Sequence, residues 1–235
     1  MNEEPLTVVG HLSELRQRLL VALGTVLAIA ILTFARAGDI LQVLKLPAME
    51  SIDKLVFFSP TEAFSAYFKV AFFSAVVLAS PVLLYQLWAF LSPAVGVRVR
   101  QYTGLFLVFS TLAFLGGVAF GYFFLLPAAI KFLMGFASGV LVPMISVSEY
   151  VSFVMGLLLG CGLVFEMPVL SFLLARMGVL DHTQLRKNWK YAAIIIFITA
   201  AIVTPTPDVF NMCLMALPMF ILYEISIWVA KLSRK

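Results

Sequence analysis

The sequence predicts an all-α polytopic membrane protein, and three observations carry that prediction. Of its 235 residues, 63% are hydrophobic and 12% charged, with a mean hydropathy of +1.06, far outside the range of soluble domains. The apolar residues gather into six stretches, each bounded by a polar or proline-bearing segment. The Lys and Arg residues are shared unevenly between those bounding segments, as in a chain whose basic loops set its orientation.

Residues 1–18 form the first unit, an amphipathic helix at the membrane surface. Leu12, Leu15 and Leu19 recur at spacings of three and four, as do His11, Glu14 and Arg18 on another face. No basic start or small-residue cleavage site is present, so a signal peptide is not expected. Residues 19–35 are uncharged and just long enough to span. A long mixed-charge loop follows with Pro47 and Pro60, and the second span covers residues 64–91. Its Lys69, near one end, is expected to snorkel to the interface, while Tyr85 and Trp88 mark the other interface.

A short loop with Arg98 and Arg100 leads to the third span, residues 102–126, where Gly117 and Gly121 stand in a register that permits close helix approach. Residues 127–149 read as an apolar turn or two and then a surface loop, before the fourth span at 151–175. The polar loop of residues 176–190 precedes the fifth span, 191–204, whose 14 residues reach about 21 Å as a helix. Pro205 to Asp208 form a tight turn, with Asp208 the expected N-cap of the sixth span, residues 209–229, whose uninterrupted apolar part ends before Glu224. Both last spans are therefore expected to be short. The six spans make residues 1–235 a single integral membrane domain without internal repeats.

Orientation follows from the basic residues. Eleven of the 16 Lys and Arg lie in the N-terminal segment, the 92–101 and 176–190 loops and the C-terminus, whereas Arg36, Lys45, Lys54 and Lys131 lie opposite. This asymmetry places both termini in the cytoplasm.

Glu166 is the energetic anomaly. A carboxylate near the middle of a spanning helix costs roughly 2.5–3.5 kcal/mol on insertion scales and survives where a partner, water or another protein receives it. Pro168, two residues on, lacks an N–H and frees the carbonyl of Val164, so a kink is expected across the turn that holds Glu166. An intramembrane acid suits either a proton relay or a docking point. Glu14 likewise has two readings, an i,i+4 pair with Arg18 or an acceptor for a guanidinium from outside.

Absent motifs narrow the chemistry. The chain has no G-x-x-x-x-G-K-[ST] for a nucleotide, no H-E-x-x-H for zinc and no G-x-S-x-G nucleophile elbow, so neither enzymatic activity nor a metal or cofactor is expected. Cys161 and Cys213 fall inside apolar segments, which argues against a disulfide framework, and nucleic acid is not an expected partner. A proton-coupled transporter of small molecules is the alternative reading, because it would use Glu166 as a relay; the missing repeat speaks against it.

Four motifs converge on a family. His11-Leu-Ser-Glu14-Leu-Arg16-Gln-Arg18-Leu-Leu, Ser80-Pro81 through Tyr85-Gln86-x-Trp88-x-Phe90, Phe165-Glu166-x-Pro168 and Thr206-Pro207-Asp208-Val-Phe resemble, in order and topology, the TatC subunit of the twin-arginine protein translocase. The resemblance implies a concave multi-pass protein of the cytoplasmic (inner) membrane. That protein would receive folded substrates by their twin-arginine signal peptides, work in a multi-subunit assembly with TatA- and TatB-type single-span proteins, and draw on the proton gradient. Glu14 matches the arginine-recognising acid, Arg16 lies in the same motif, and Phe90 matches an aromatic near that site, where it is either ligand contact or interfacial anchor. Glu166 matches the membrane-embedded acid against which partner helices pack, with Thr204 or Thr206 adding polar contacts. Pro47, Pro168 and Asp208 match structural positions. Two departures stand out: Val99 replaces a second acid of the family's signal site, and Met212 replaces a polar residue early in the sixth helix.

Overall fold

The computed structural model describes residues 8–49, 52, 54–91, 103–136, 144–204 and 208–233. Helix α1 (Val8–Phe34) runs unbroken through the segment expected to form a separate surface helix. Its polar turns join the apolar ones without a break because Glu14 and Arg18, one turn apart, pair at 2.5 Å. Helix α2 (Ala37–Lys45) is followed by a 3₁₀ turn at Leu46–Ala48, with Pro47 in its first positions, where a missing N–H does no harm.

Helix α3 (Pro60–Leu91) passes through Pro81. Helix α4 (Thr103–Phe120) continues through a π turn (Gly121–Leu125) into α5 (Leu126–Phe136), so the third apolar element does not end at residue 126 as the sequence suggests. Proline normally ends a helix, but here the widened turn precedes Pro127 and absorbs its missing donor. Helix α6 (Val147–Phe165) starts four residues earlier than expected, capped by the Ser146 hydroxyl, which accepts the Glu149 N–H at 3.3 Å.

The break at Glu166 separates α6 from α7 (Met167–Arg176) and puts Pro168 in the first turn of the new helix, as the missing N–H requires. Helix α8 (His182–Lys187) is short, α9 (Trp189–Val203) has 15 residues, and α10 (Val209–Ser233) has 25. The expected shortness thus fits α9, about 22 Å long, and not α10, at about 37 Å. Glu224 does not end α10 because Arg186 meets its carboxylate at 2.9 Å.

Among the described residues five apolar segments are long enough to cross a membrane: Leu12–Phe34, Pro60–Phe90, Gly104–Gly135, Val147–Arg176 and Val209–Leu232; Trp189–Val203 is a shorter apolar helix. Their outward faces carry Ile31, Ile202 and Leu232, each more than 70% exposed, a surface suited to lipid rather than water. Among the described residues the extended backbone pairs at one isolated bridge, Val56 with Ser146.

The core gathers Val70 and Phe73 of α3, Val151, Val154 and Leu158 of α6, and Met215 and Met219 of α10. Lipid supplies no hydrophobic drive between helices, so close contact must. At Gly117 a Cβ would lie 2.5 Å from the Cys161 carbonyl oxygen and 2.9 Å from Gly162 Cα, so α4 and α6 touch backbone to backbone there. Helices α1 and α3 pair antiparallel: Thr33 donates to the Ala71 carbonyl at 2.8 Å, and Val26 packs on Ala75 and Ala79.

Trp88 stacks on Phe106 at 4.3 Å, and Val229 shares a cleft with Leu105, Phe106 and Phe172. These contacts bring the end of α3, the start of α4 and the ends of α7 and α10 together. The antiparallel pairing adds the start of α1. This end carries Arg176, Arg186, Lys187, Lys190 and Lys231, and is called the basic end.

Candidate functional site

The intramembrane site forms where α6 gives way to α7. Glu166, with φ −71° and ψ −16°, closes one helix and opens the next, and its side chain is 5% exposed. Ser110 of α4 donates its hydroxyl to Glu166 Oε2 at 2.6 Å, while Oε1 has no hydrogen-bond partner among the described residues. A buried carboxylate with half its acceptor capacity unmet is costly, and one further donor would relieve that cost. Pro168 stands beside it and also lines an apolar cleft with Leu105, Phe106, Phe109, Val169, Phe172 and Val229.

The second site lies at the basic end. Glu14 Oε1 accepts both Arg18 Nη2, at 2.5 Å, and Arg18 Nε, at 3.0 Å, whereas Arg16 is exposed. The register that sets Thr33 against Ala71 carries Glu14, 19 residues back, to the level of Phe90, 19 residues on. Phe90 is half-buried in the last turn of α3. Val99, with the rest of residues 92–102, lies outside the described residues, as do Thr206 and Pro207.

The remaining expected residues take local roles. Thr204 ends α9; it is buried, and its hydroxyl donates to the Ala200 carbonyl at 2.8 Å. Asp208 caps α10, its Oδ1 accepting the Asn211 N–H at 2.7 Å and its Oδ2 the Asn211 side-chain amide at 2.9 Å. Both cysteines are free thiols, Cys161 buried and Cys213 exposed.

Several polar contacts escape a reading of the sequence. Ser110 is one, since a lone serine in an apolar helix looks like a small packing residue. Lys69 is another. Its ammonium does not merely snorkel but donates to Ser148 and Ser152 of α6 at 2.7 and 2.8 Å. The i,i+4 spacing of those two serines on one helix face was the available signal. Glu62 accepts the Ser146 hydroxyl and the Phe58 N–H, and the hydroxyls of Tyr122 and Tyr150 donate to the Val43 and Leu44 carbonyls at 2.6 and 2.8 Å.

Fold and site together define a polytopic helical membrane protein with a buried acid at a helix break and, at its basic end, a carboxylate paired with an arginine one turn away on the same helix. Residues 10–218 match the family model of the Sec-independent protein translocase protein (TatC). The Sec-independent protein translocase proteins TatC of Carboxydothermus hydrogenoformans and Aquifex aeolicus are 36% and 38% identical to it over 231 and 235 residues. The alignments cover 98% of this chain in both cases, and 95% and 96% of those proteins. The crystal structure of the twin arginine translocase receptor TatC is similar with a TM-score of 0.85 and 37% identity, covering 96% of this chain and 100% of that one. The chain belongs to the TatC family. It is a multi-pass membrane component of Sec-independent, twin-arginine protein translocation, which sets aside the alternative of a proton-coupled small-molecule transporter.

Proposed function

We propose that this chain is the signal-peptide receptor and core subunit of its translocase, exporting folded proteins across the cytoplasmic membrane at the expense of the proton gradient. In this reading residues 1–235 act as one membrane domain, α9 completes a sixth crossing despite its length, both termini face the cytoplasm, and the helices surround a concave face. The observation that carries the receptor role is Glu14, a carboxylate at the basic end already holding a guanidinium, that of Arg18. A twin-arginine signal would exchange for Arg18, because its guanidinium forks match the carboxylate better than lysine's point charge does. Arg16 orients the helix, and Phe90 borders the same level. With Val99 in place of a second acid, the second arginine would meet backbone carbonyls or another acceptor.

Glu166 takes the second role. Its unpaired Oε1 supports docking of a hydrogen-bond donor from a TatA- or TatB-type helix, and the apolar cleft beside Pro168 supports packing of that helix's aliphatic face. Thr204 or Thr206 would supply a polar contact to that helix. Pro47, Pro168 and Asp208 hold the frame.

Site-specific crosslinking from position 14 to a twin-arginine signal peptide tests the receptor. Strong contact that falls when the arginine pair becomes two lysines is the expected outcome, and equal contact by both peptides would sink the proposal. Glu166→Gln should leave that crosslink intact and weaken copurification of the single-span partners. Unchanged copurification would remove Glu166 from the docking surface.

A further inference from the structure

At the basic end, α8 and the last turns of α10 enclose a cleft of about 370 Å³ lined by His182, Thr183, Arg186, Ile227, Trp228 and Lys231. Its walls differ in chemistry. Arg186 gives one N–H to Glu224 Oε2 at 2.9 Å, yet its side chain stays 67% exposed, leaving the rest of its donor fork for a second acceptor. The Lys231 ammonium lies 5.9 Å from the centre of the Trp228 ring rather than on a carboxylate. Thr183 presents an exposed side chain beside them.

The acids near the cleft are engaged by their own neighbours. Glu224 holds Arg186, and Asp181 Oδ1 accepts the Thr183 N–H at 3.2 Å and lies 2.9 Å from His182 Nδ1. Guanidinium, ammonium and hydroxyl then offer donors to an anion with several acceptor oxygens, which describes a phosphate better than a lone carboxylate. The other wall is apolar. Ile227 is buried, and Trp228 is 63% exposed on the lipid-crossing helix α10, the position an indole takes at the headgroup layer.

We propose that this cleft seats the phosphate of an anionic phospholipid from the adjoining leaflet. Arg186, Lys231 and Thr183 donate to its oxygens, while Trp228 and Ile227 meet the first carbons of its acyl chains. Basic clefts between spanning helices on the side that carries the positive charge are where such headgroups bind. A basic signal segment would be repelled here, which separates this cleft from the receptor site.

Native mass spectrometry of the full-length protein, released from micelles holding phosphatidylglycerol and phosphatidylcholine in equal amounts, tests the proposal. The wild type should retain phosphatidylglycerol selectively. The pair Arg186→Gln with Lys231→Gln should weaken that retention about thirtyfold, since each basic side chain at the surface adds roughly 1 kcal/mol. The pair Lys187→Gln with Lys190→Gln, at the same end but outside the cleft, should retain the lipid as the wild type does. Equal loss in both double variants would overturn the proposal in favour of diffuse charge. Inorganic phosphate should leave the bound lipid in place; its displacement by inorganic phosphate would overturn the lipid as the source of the anion. A second measurement leaves the charges untouched. Brominated phosphatidylglycerol should quench tryptophan fluorescence more than brominated phosphatidylcholine does, and Trp228→Phe should remove the excess. Equal quenching by the two lipids would overturn the proposal even if the charge variants fail to fold.

Discussion

The two ends of the helix bundle are held in opposite ways. At the end away from the basic residues, contacts run between distant elements. Val56 N–H donates to the Ile145 carbonyl at 3.0 Å, the Val147 N–H returns to Val56 at 2.8 Å, and Tyr122 and Tyr150 tie α2 to the π turn and to α6. Glu62 and Lys69 add links from α3 to Ser146, Ser148 and Ser152. At the basic end the described ion pairs include Glu14 with Arg18, on one helix, and Arg186 with Glu224, both partly exposed. Bonds between distant elements fix relative positions, and the Tyr150 bond is buried as well, whereas exposed pairs within reach of water are weak and exchangeable. One end is a frame, and the other is a surface with its charges available for exchange.

Three substitutions break or sharpen that contrast. Glu14→Ala should produce the largest effect, a loss of about 1.5–3 kcal/mol in signal-peptide binding, read as a shift of the crosslinking titration, with thermal stability in detergent unchanged. Tyr150→Phe should do the reverse. It removes the hydroxyl that donates to the Leu44 carbonyl in a buried setting and should cost about 1–2 kcal/mol of stability while signal binding is kept. Glu224→Gln should be the mildest, changing stability by less than about 1 kcal/mol, because its partner Arg186 is mostly exposed. If denaturation shows Glu224→Gln to be more damaging than Tyr150→Phe, the two ends are not built as described.

Much of this frame is legible in the residues themselves. Glu166 beside Pro168 marks a helix break because a carboxylate and a missing N–H in one turn have few other uses in lipid, and the break falls at Glu166. Gly117 and Gly121 mark a close helix contact for an equally direct steric reason. What is not legible depends on partners far away in sequence. Pro127 reads as a terminus until the π turn before it is seen, and Glu224 reads as the end of an apolar run until Arg186 is placed beside it. Ser110 gives no sign from its neighbours that it faces an acid 56 positions on. Of the expected sites, Thr204 turns its hydroxyl back onto its own helix, a local choice that polarity alone does not reveal.

The π turn at Gly121–Leu125 also sets an angular phase. A turn closed by i→i+5 bonds holds about one residue more than an α-helical turn, and each residue advances the helix by roughly 100°. Everything after it is therefore dialled round relative to α4. That offset lets Gly117 and Gly121 face α6 while Phe132, farther along the same rod, lies flat against Phe210 with ring centres 3.9 Å apart. Deleting one residue within the turn would restore a regular helix and swing Phe132 off its partner. The turn works as a coupling between two shafts, and its length tells α5 which way to face.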